Sequence, residues 1–207
     1  TSYGGILGQV FLNFYEICYR PDYVPGQAAL NTYEGNDLRY VSFFQDMPTG
    51  YAHGLVWPLL VKYYGNMEFV SNYRIYHVNM PKVFRLSEQY LIRAEAYCQK
   101  EDFAKASADI STLRQARYQT YGSATLTSEN WLDEIDKERL RELFMEGFRL
   151  QDLKRWGKGF ERKPQEQSVR DGSSLNIEAG NPLFVWPIPQ HELDLPGSAI
   201  EPNESNK

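Results

Sequence analysis

A change of periodicity at Ser87 constrains this chain more than any other feature. Beyond it, Tyr90, Leu91, Ala94, Tyr97 and Cys98 recur at the spacing of one helix face. After a break at Lys100-Glu101-Asp102, Phe103, Ala106, Ile110, Leu113 and Arg117 resume in steps of three and four. Two short amphipathic helices joined by a tight turn make a helical hairpin. Ser87 supplies an N-cap oxygen, with Glu88 and Gln89 in the first turn. Ala94, Ala96, Ala104 and Ala108 are small enough to let the two helices approach closely.

A third helix is expected from a cap at Thr127 or Ser128 through Trp131, Leu132, Ile135, Leu140, Leu143 and Phe144. Gly147 breaks it before a further helix over Phe148–Trp156. Residues 157–180 read as an exposed loop. After the apolar run Leu183-Phe184-Val185-Trp186, Pro189 opens a short helix at Gln190–Leu193, and residues 198–207 read as a tail. Before residue 80 the pattern is different. Pro21-Asp22, Pro25-Gly26, Gly35-Asn36-Asp37, Pro48-Thr49-Gly50 and Gly65-Asn66 interrupt short apolar runs. Helices over 5–17 and 26–33 and a short hairpin are expected there, within loops. The fold class is therefore mostly α, with loop-rich residues 1–80, a helical core over 81–156 and a closing segment over 157–207. The hairpin looks like one tetratricopeptide unit, with no second copy at the roughly 34-residue offset of such arrays.

A net charge of −5 argues against a nucleic-acid partner, which selects a basic face. No apolar run reaches the roughly 18 residues of a membrane span. Cys18 and Cys98 have no metal or redox spacing; two buried thiols are expected, a single disulfide being the alternative. The start Thr1-Ser2-Tyr3-Gly4-Gly5 has the form of neither a signal peptide nor a lipid-attachment segment, so the chain reads as beginning inside a longer one.

Between Asp136 and Arg155, Glu138–Arg141, Arg139–Glu142, Glu146–Arg149, Arg149–Asp152 and Asp152–Arg155 are each three apart, as helical ion pairs are. A glycosidase needs two carboxylates about 5–10 Å apart, one with a raised pKa. Here each acid has a base within a turn, which lowers its pKa. His53, His77 and His191 lack metal spacing, and no nucleophile motif or phosphate loop occurs, so no catalytic residue, metal or cofactor is expected. Aromatic residues are 14% of the chain, with 15 Tyr, many before residue 80. Flat apolar faces with polar edges suit the C–H faces and hydroxyls of sugars, and they equally suit irregular cores.

Several strings then line up with one family. Pro25, Leu30 and Tyr33, then Asp37-Leu38-Arg39, then Lys62-Tyr63, resemble the middle of SusD/RagB-type nutrient-binding proteins. Phe84-Arg85-Leu86-Ser87-Glu88 with Tyr90-Leu91 and Arg93-Ala94-Glu95-Ala96 is similar to that family's helical signature. So are Glu138-Arg139, Glu142-Leu143, Glu146-Gly147, Arg149, Asp152-Leu153 and Arg155-Trp156, and the late Trp186-Pro187-Ile188-Pro189 with Glu192-Leu193. The resemblance, over about residues 25–195, implies a helical fold with tetratricopeptide-like hairpins and a loop-rich ligand face. It implies a protein lipid-anchored at the outer membrane and facing outward. Such a protein binds oligo- or polysaccharide, or in some branches peptide, without chemistry, and serves a TonB-dependent, SusC-like transporter. A glycosidase is the remaining alternative.

Full members are more than twice as long, so signal peptide, lipidated cysteine and most hairpins are expected to precede Thr1. The Asn-Pro-containing ending usual after the Pro-Ile-Pro turn is replaced by Leu195-Pro196-Gly197-Ser198 and a polar tail. The matched strings look like framework. Family stacking aromatics lie on variable loops, which points at Tyr3, Tyr15, Tyr19 and Tyr23. The ligand residues expected here are Tyr19 and Tyr23, bracketing Arg20 and Asp22.

Overall fold

The computed structural model describes residues 5–15, 18–50, 54–71, 74–75, 77–80, 82–162 and 176–206, and over these the chain is mostly helical. Short elements come first: α1 (Ile6–Leu12), β1 (Phe14–Tyr15), β2 (Cys18–Tyr19), α2 (Gln27–Leu30), α3 (Leu38–Phe43), β3 (Phe44–Pro48), β4 (Val56–Leu60), β5 (Val70–Ser71) and β6 (Arg74–Ile75). The longer helices are α4 (Leu86–Gln99), α5 (Phe103–Gln115), α6 (Trp131–Glu142) and α7 (Arg149–Trp156). Then come β7 (Phe160–Glu161), β8 (Asn176–Ile177) and α8 (Gln190–Leu193). The described strands pair only as two-stranded antiparallel hairpins; in the longest, Phe44 of β3 faces Leu60 of β4 and Pro48 faces Val56. No described helix is long and apolar enough to cross a membrane.

The α4–α5 hairpin forms where the periodicity places it. Leu91, Ala94 and Cys98 of α4 join Ala106, Ile110 and Leu113 of α5, with Ile135 and Leu143, in one buried cluster. Burying each large aliphatic side chain stabilises the fold by about 1.5–3 kcal/mol. Ala94 and Ala106 are the small residues inside this contact; Ala96, Ala104 and Ala108 lie on the outer faces, contrary to expectation. The turn is a Schellman motif: Glu101 N–H donates to the Cys98 carbonyl (2.9 Å) and Asp102 N–H to that of Tyr97 (2.9 Å). It places Glu101 at φ 60°, a conformation that favours glycine. Asp102 then caps α5, accepting from the Lys105 N–H. Ser87 is not the cap of α4: the helix starts two residues earlier than such a cap implies, after Arg85, and Ser87 is buried in its first turn. α6 likewise begins after Asn130, because Thr127 and Asn130 organise a turn ahead of it.

A second core holds Phe11, Leu12, Leu30, Phe44, Met47, Trp57, Leu59 and Leu60, and takes in Phe144 from beyond α6. The Phe144 ring meets Phe44 edge-on, at 5.4 Å between centroids. Phe144 arrives there because α6 stops at Glu142, two residues earlier than expected, and positive φ at Met145 (57°) and Gly147 (90°) turns the chain into α7. In the first region, α1 ends at Leu12 rather than near residue 17 and α2 at Leu30 rather than 33. Helix α3 was not expected. Its buried residue is Arg39, so it has no apolar stripe to read.

Arg39 belongs to a buried ion network. Glu138, fully buried, accepts from Arg39, Arg114 and Arg141, each at 2.6 Å. Glu142 pairs with Arg39, Arg85 and Arg117, and Asp37 with Arg39. Of the pairs expected three apart, Glu138–Arg141 and Asp152–Arg155 form. Arg139 reaches Asp152 instead (2.7 Å), Arg149 reaches Asp136, and Glu146 reaches Lys62 and Arg85. Tertiary partners replace helical neighbours because most of these residues face the protein interior rather than water.

Cys98 is a buried free thiol, and Cys18 is only half-buried. Burial pushes the Cys98 thiol up to about 11. α8 forms after Pro189 as expected. The expected tail is docked: Asn206 Oδ1 accepts from Ile188 N–H (3.0 Å) and its amide donates to the Ile188 carbonyl (2.8 Å). Asn203 donates to the Trp186 carbonyl (2.8 Å).

Candidate ligand-binding site

After α1, β1 (Phe14–Tyr15) and β2 (Cys18–Tyr19) pair antiparallel. Phe14 faces Tyr19 in register, and the two rings meet edge-on at 5.0 Å. The carbonyl of Val10, left without a helical partner as α1 ends, accepts from the N–H of Asp22 (2.9 Å) and Tyr23 (3.2 Å). Arg20 N–H donates to the Asn13 carbonyl (2.6 Å). Gly50 N–H donates to the Tyr19 carbonyl (2.7 Å), joining β2 to the end of the β3–β4 hairpin. A side chain at Gly50 would meet Cys18 Sγ at 2.7 Å and Arg20 Nε at 2.9 Å, so those side chains would have to shift to admit one.

The structure treats the four expected site residues differently. Tyr23 is 62% exposed and Asp22 is exposed, both open to a ligand. Tyr19 and Arg20 are half-buried. Tyr19 packs on the second core, as Tyr64 does; burial first, then Tyr64, raises its pKa. Tyr23 rests against Phe11, at 6.4 Å between centroids. Phe14, 48% exposed, adds an apolar face that was not singled out in the sequence. Being a phenylalanine, it lacks the polar edge by which the tyrosines were chosen. Tyr3 lies outside the described residues.

A cavity of about 350 Å³ lies elsewhere, lined by Ile92, Glu95, Ala96, Gln99, Arg139 and Arg155 between α4, α6 and α7. Its charges are spent on each other. Glu95 holds Arg155 and the Trp156 indole N–H (2.9 Å), and Arg139 holds Asp152. These groups have structural partners and present little to a ligand.

Carboxylates poised for acid–base work would need a raised pKa. Burial alone would push Glu138 up, but Arg39, Arg141 and Arg114 outweigh it and hold the carboxyl down at about 2. Glu142 is lowered as well: Arg117, Arg39 and Arg85 overcome its burial. Among the described residues no three His, Cys, Asp or Glu side chains group as metal ligands.

The family model of the SusD family matches residues 56–201, from β4 to beyond α8. The chain belongs to the SusD family. No curated protein matches this SusD-family chain significantly. Among solved structures, a SusD superfamily protein from Bacteroides thetaiotaomicron is similar at 27% identity and TM-score 0.67; the match covers 86% of this chain and 40% of that one. A candidate sugar binding protein from Bacteroides vulgatus is similar at 26% identity and TM-score 0.62, over 90% of this chain and 40% of that one. NanU of Bacteroides fragilis, at 20% identity and TM-score 0.59, shares the fold over 89% of this chain and 38% of its own. The SusD-family chain thus spans about two fifths of the length of these relatives. Its ion network joins the strings that carry the resemblance: Asp37 and Arg39 from one, Arg85 from another, Glu138 and Glu142 from a third.

Proposed function

We propose that the chain forms part of a non-catalytic protein that captures an oligo- or polysaccharide at the outer face of the outer membrane. A lipid anchor holds the protein there, and a TonB-dependent, SusC-like transporter receives the ligand. The observation that carries this reading is the family match over residues 56–201, since SusD-family proteins are outer-membrane surface lipoproteins that bind nutrients. The kinship to a candidate sugar binding protein supports a glycan over a peptide. Tyr23 and Asp22 offer an exposed aromatic face beside a hydrogen-bonding carboxylate, with Tyr19 and Arg20 behind them. The most buried carboxylates are held by arginines, which favours binding over hydrolysis.

Affinity electrophoresis against a polysaccharide panel tests the reading. One glycan is expected to retard the protein, with no reducing sugar released, and Tyr19→Ala and Tyr23→Ala are each expected to weaken retardation. Retardation by no glycan, with binding to peptides, would replace the ligand class. Release of reducing sugar would make the protein an enzyme.

A further inference from the structure

The consecutive residues Tyr63 and Tyr64 each reach one of the two tyrosines of the candidate site. The Tyr63 ring stacks on Phe11 (6.0 Å between centroids, 22° between planes), and Phe11 carries Tyr23 on its other contact. Tyr64 packs against the same second core as Tyr19, and its phenol raises the Tyr19 pKa after burial does. The pair is itself fastened to the helical frame. Tyr63 Oη donates to the Met145 carbonyl (2.9 Å), and the neighbouring Lys62 Nζ donates to the Phe144 carbonyl (3.1 Å) and pairs with Glu146. On the other side, Asn79 donates to the Tyr63 carbonyl (3.3 Å), and His77 Nδ1 lies 3.0 Å from the Tyr64 carbonyl. Residues 62–64 are therefore held from two directions, with the Tyr63 ring lying on Phe11.

We infer that Tyr63 and Tyr64 are positioning residues for ligand capture, holding Tyr23 and Tyr19 in the orientation that stacks on a sugar. The inference rests on the glycan-binding reading and on Tyr19 and Tyr23 as its contacts. A stacking face gains affinity only if its tilt is set before the ligand arrives, because ordering it afterwards costs conformational entropy. Tyr63 and Tyr64 touch no ligand in this account; they act through Phe11, Tyr23 and Tyr19.

The test uses the full chain and the polysaccharide that retards it most. Tyr64→Phe keeps the ring and removes one hydroxyl, so folding is preserved; Tyr63→Leu removes the stack. Each is expected to weaken retardation about three- to tenfold, the worth of one aromatic contact or hydrogen bond. Tyr63→Phe, which keeps the stack, is expected to recover most of the loss seen in Tyr63→Leu. NMR titration with isotope-labelled tyrosine supplies a readout that loss of stability alone does not move: in Tyr64→Phe the Tyr19 phenol is expected to ionise at lower pH than in the parent. If Tyr19→Ala and Tyr23→Ala weaken binding while Tyr64→Phe and Tyr63→Leu do not, positioning is overturned and the site stands. Failure of all four to weaken binding overturns the site and the inference with it.

Discussion

The helical region from Leu86 to Trp156 and the region before residue 80 are stabilised in different ways. In the first, residues three and four apart share a core: Leu91, Ala94 and Cys98 meet Ala106, Ile110 and Leu113 across one turn. In the second, short helices and two-stranded hairpins carry little of their own stability. They are fastened to the end of α6. Its last carbonyls and those of the turn after it lack helical partners, and side chains from the earlier region and its flank supply them. Tyr33 Oη donates to Arg141 (3.0 Å), Arg85 to Glu142 (2.7 Å), Lys62 to Phe144 (3.1 Å) and Tyr63 to Met145 (2.9 Å). The lesson is that a helix end can act as the socket for an irregular region.

Removing the centre of that socket should have the largest effect. Glu138→Ala removes the one carboxylate shared by the buried Arg39, Arg114 and Arg141, and we predict a loss of about 3–5 kcal/mol in urea unfolding. An unchanged midpoint would sink the view that the network joins the two regions. Acid attacks the same point. The Glu138 carboxyl sits at about 2 in the fold against an ordinary 4.5. Between these values the unfolded chain binds more protons, so its contribution is full above pH 4.5 and disappears as pH falls toward 2. The expected loss is on the order of 3 kcal/mol, read from unfolding midpoints across that window.

Lys62→Met sharpens the contrast between the regions. It should cost about 2 kcal/mol for a charged hydrogen bond and its ion pair. Hydrogen exchange should quicken around residues 10–23 and 60–64 while the amides of α4 and α5 keep their protection. Uniform quickening in both regions would show that they do not respond separately. The smallest effect is a gain: Glu101→Gly relieves the left-handed position in the Schellman turn, as Gly157 (φ 62°) already does after α7. A rise in stability of about 1 kcal/mol is expected in thermal unfolding, confined to the helical region.

The helical hairpin was legible because its signal is local: Leu91 and Ile110 declare their burial through neighbours three and four residues away. The short helix after Pro189 was legible for the same reason. Ser87 misled because a serine before an apolar run looks like a cap whether or not the helix starts earlier. The charged ladder was legible in composition but not in partners: Arg39 meets Glu138 across 99 residues of sequence, and no spacing rule spans that distance. Tyr63 and Tyr64 stood among the many tyrosines before residue 80. Nothing in their spacing separates a tyrosine that anchors a loop from one that meets solvent until the Met145 carbonyl and the Tyr19 phenol are in place.

By itself the sequence determined that this chain is mostly helical, where its hairpin lies, that its acids are matched by bases, and which family its strings resemble. Those properties are written in periodicity and in short ordered motifs. Only the tertiary structure decided which base each acid takes, that the end of α6 receives the irregular region, and that Tyr23 faces outward while Tyr19 leans into the core. The physical reason is that buried polar groups must be satisfied by whatever partner the fold brings within hydrogen-bond reach, and that partner is most often distant in sequence.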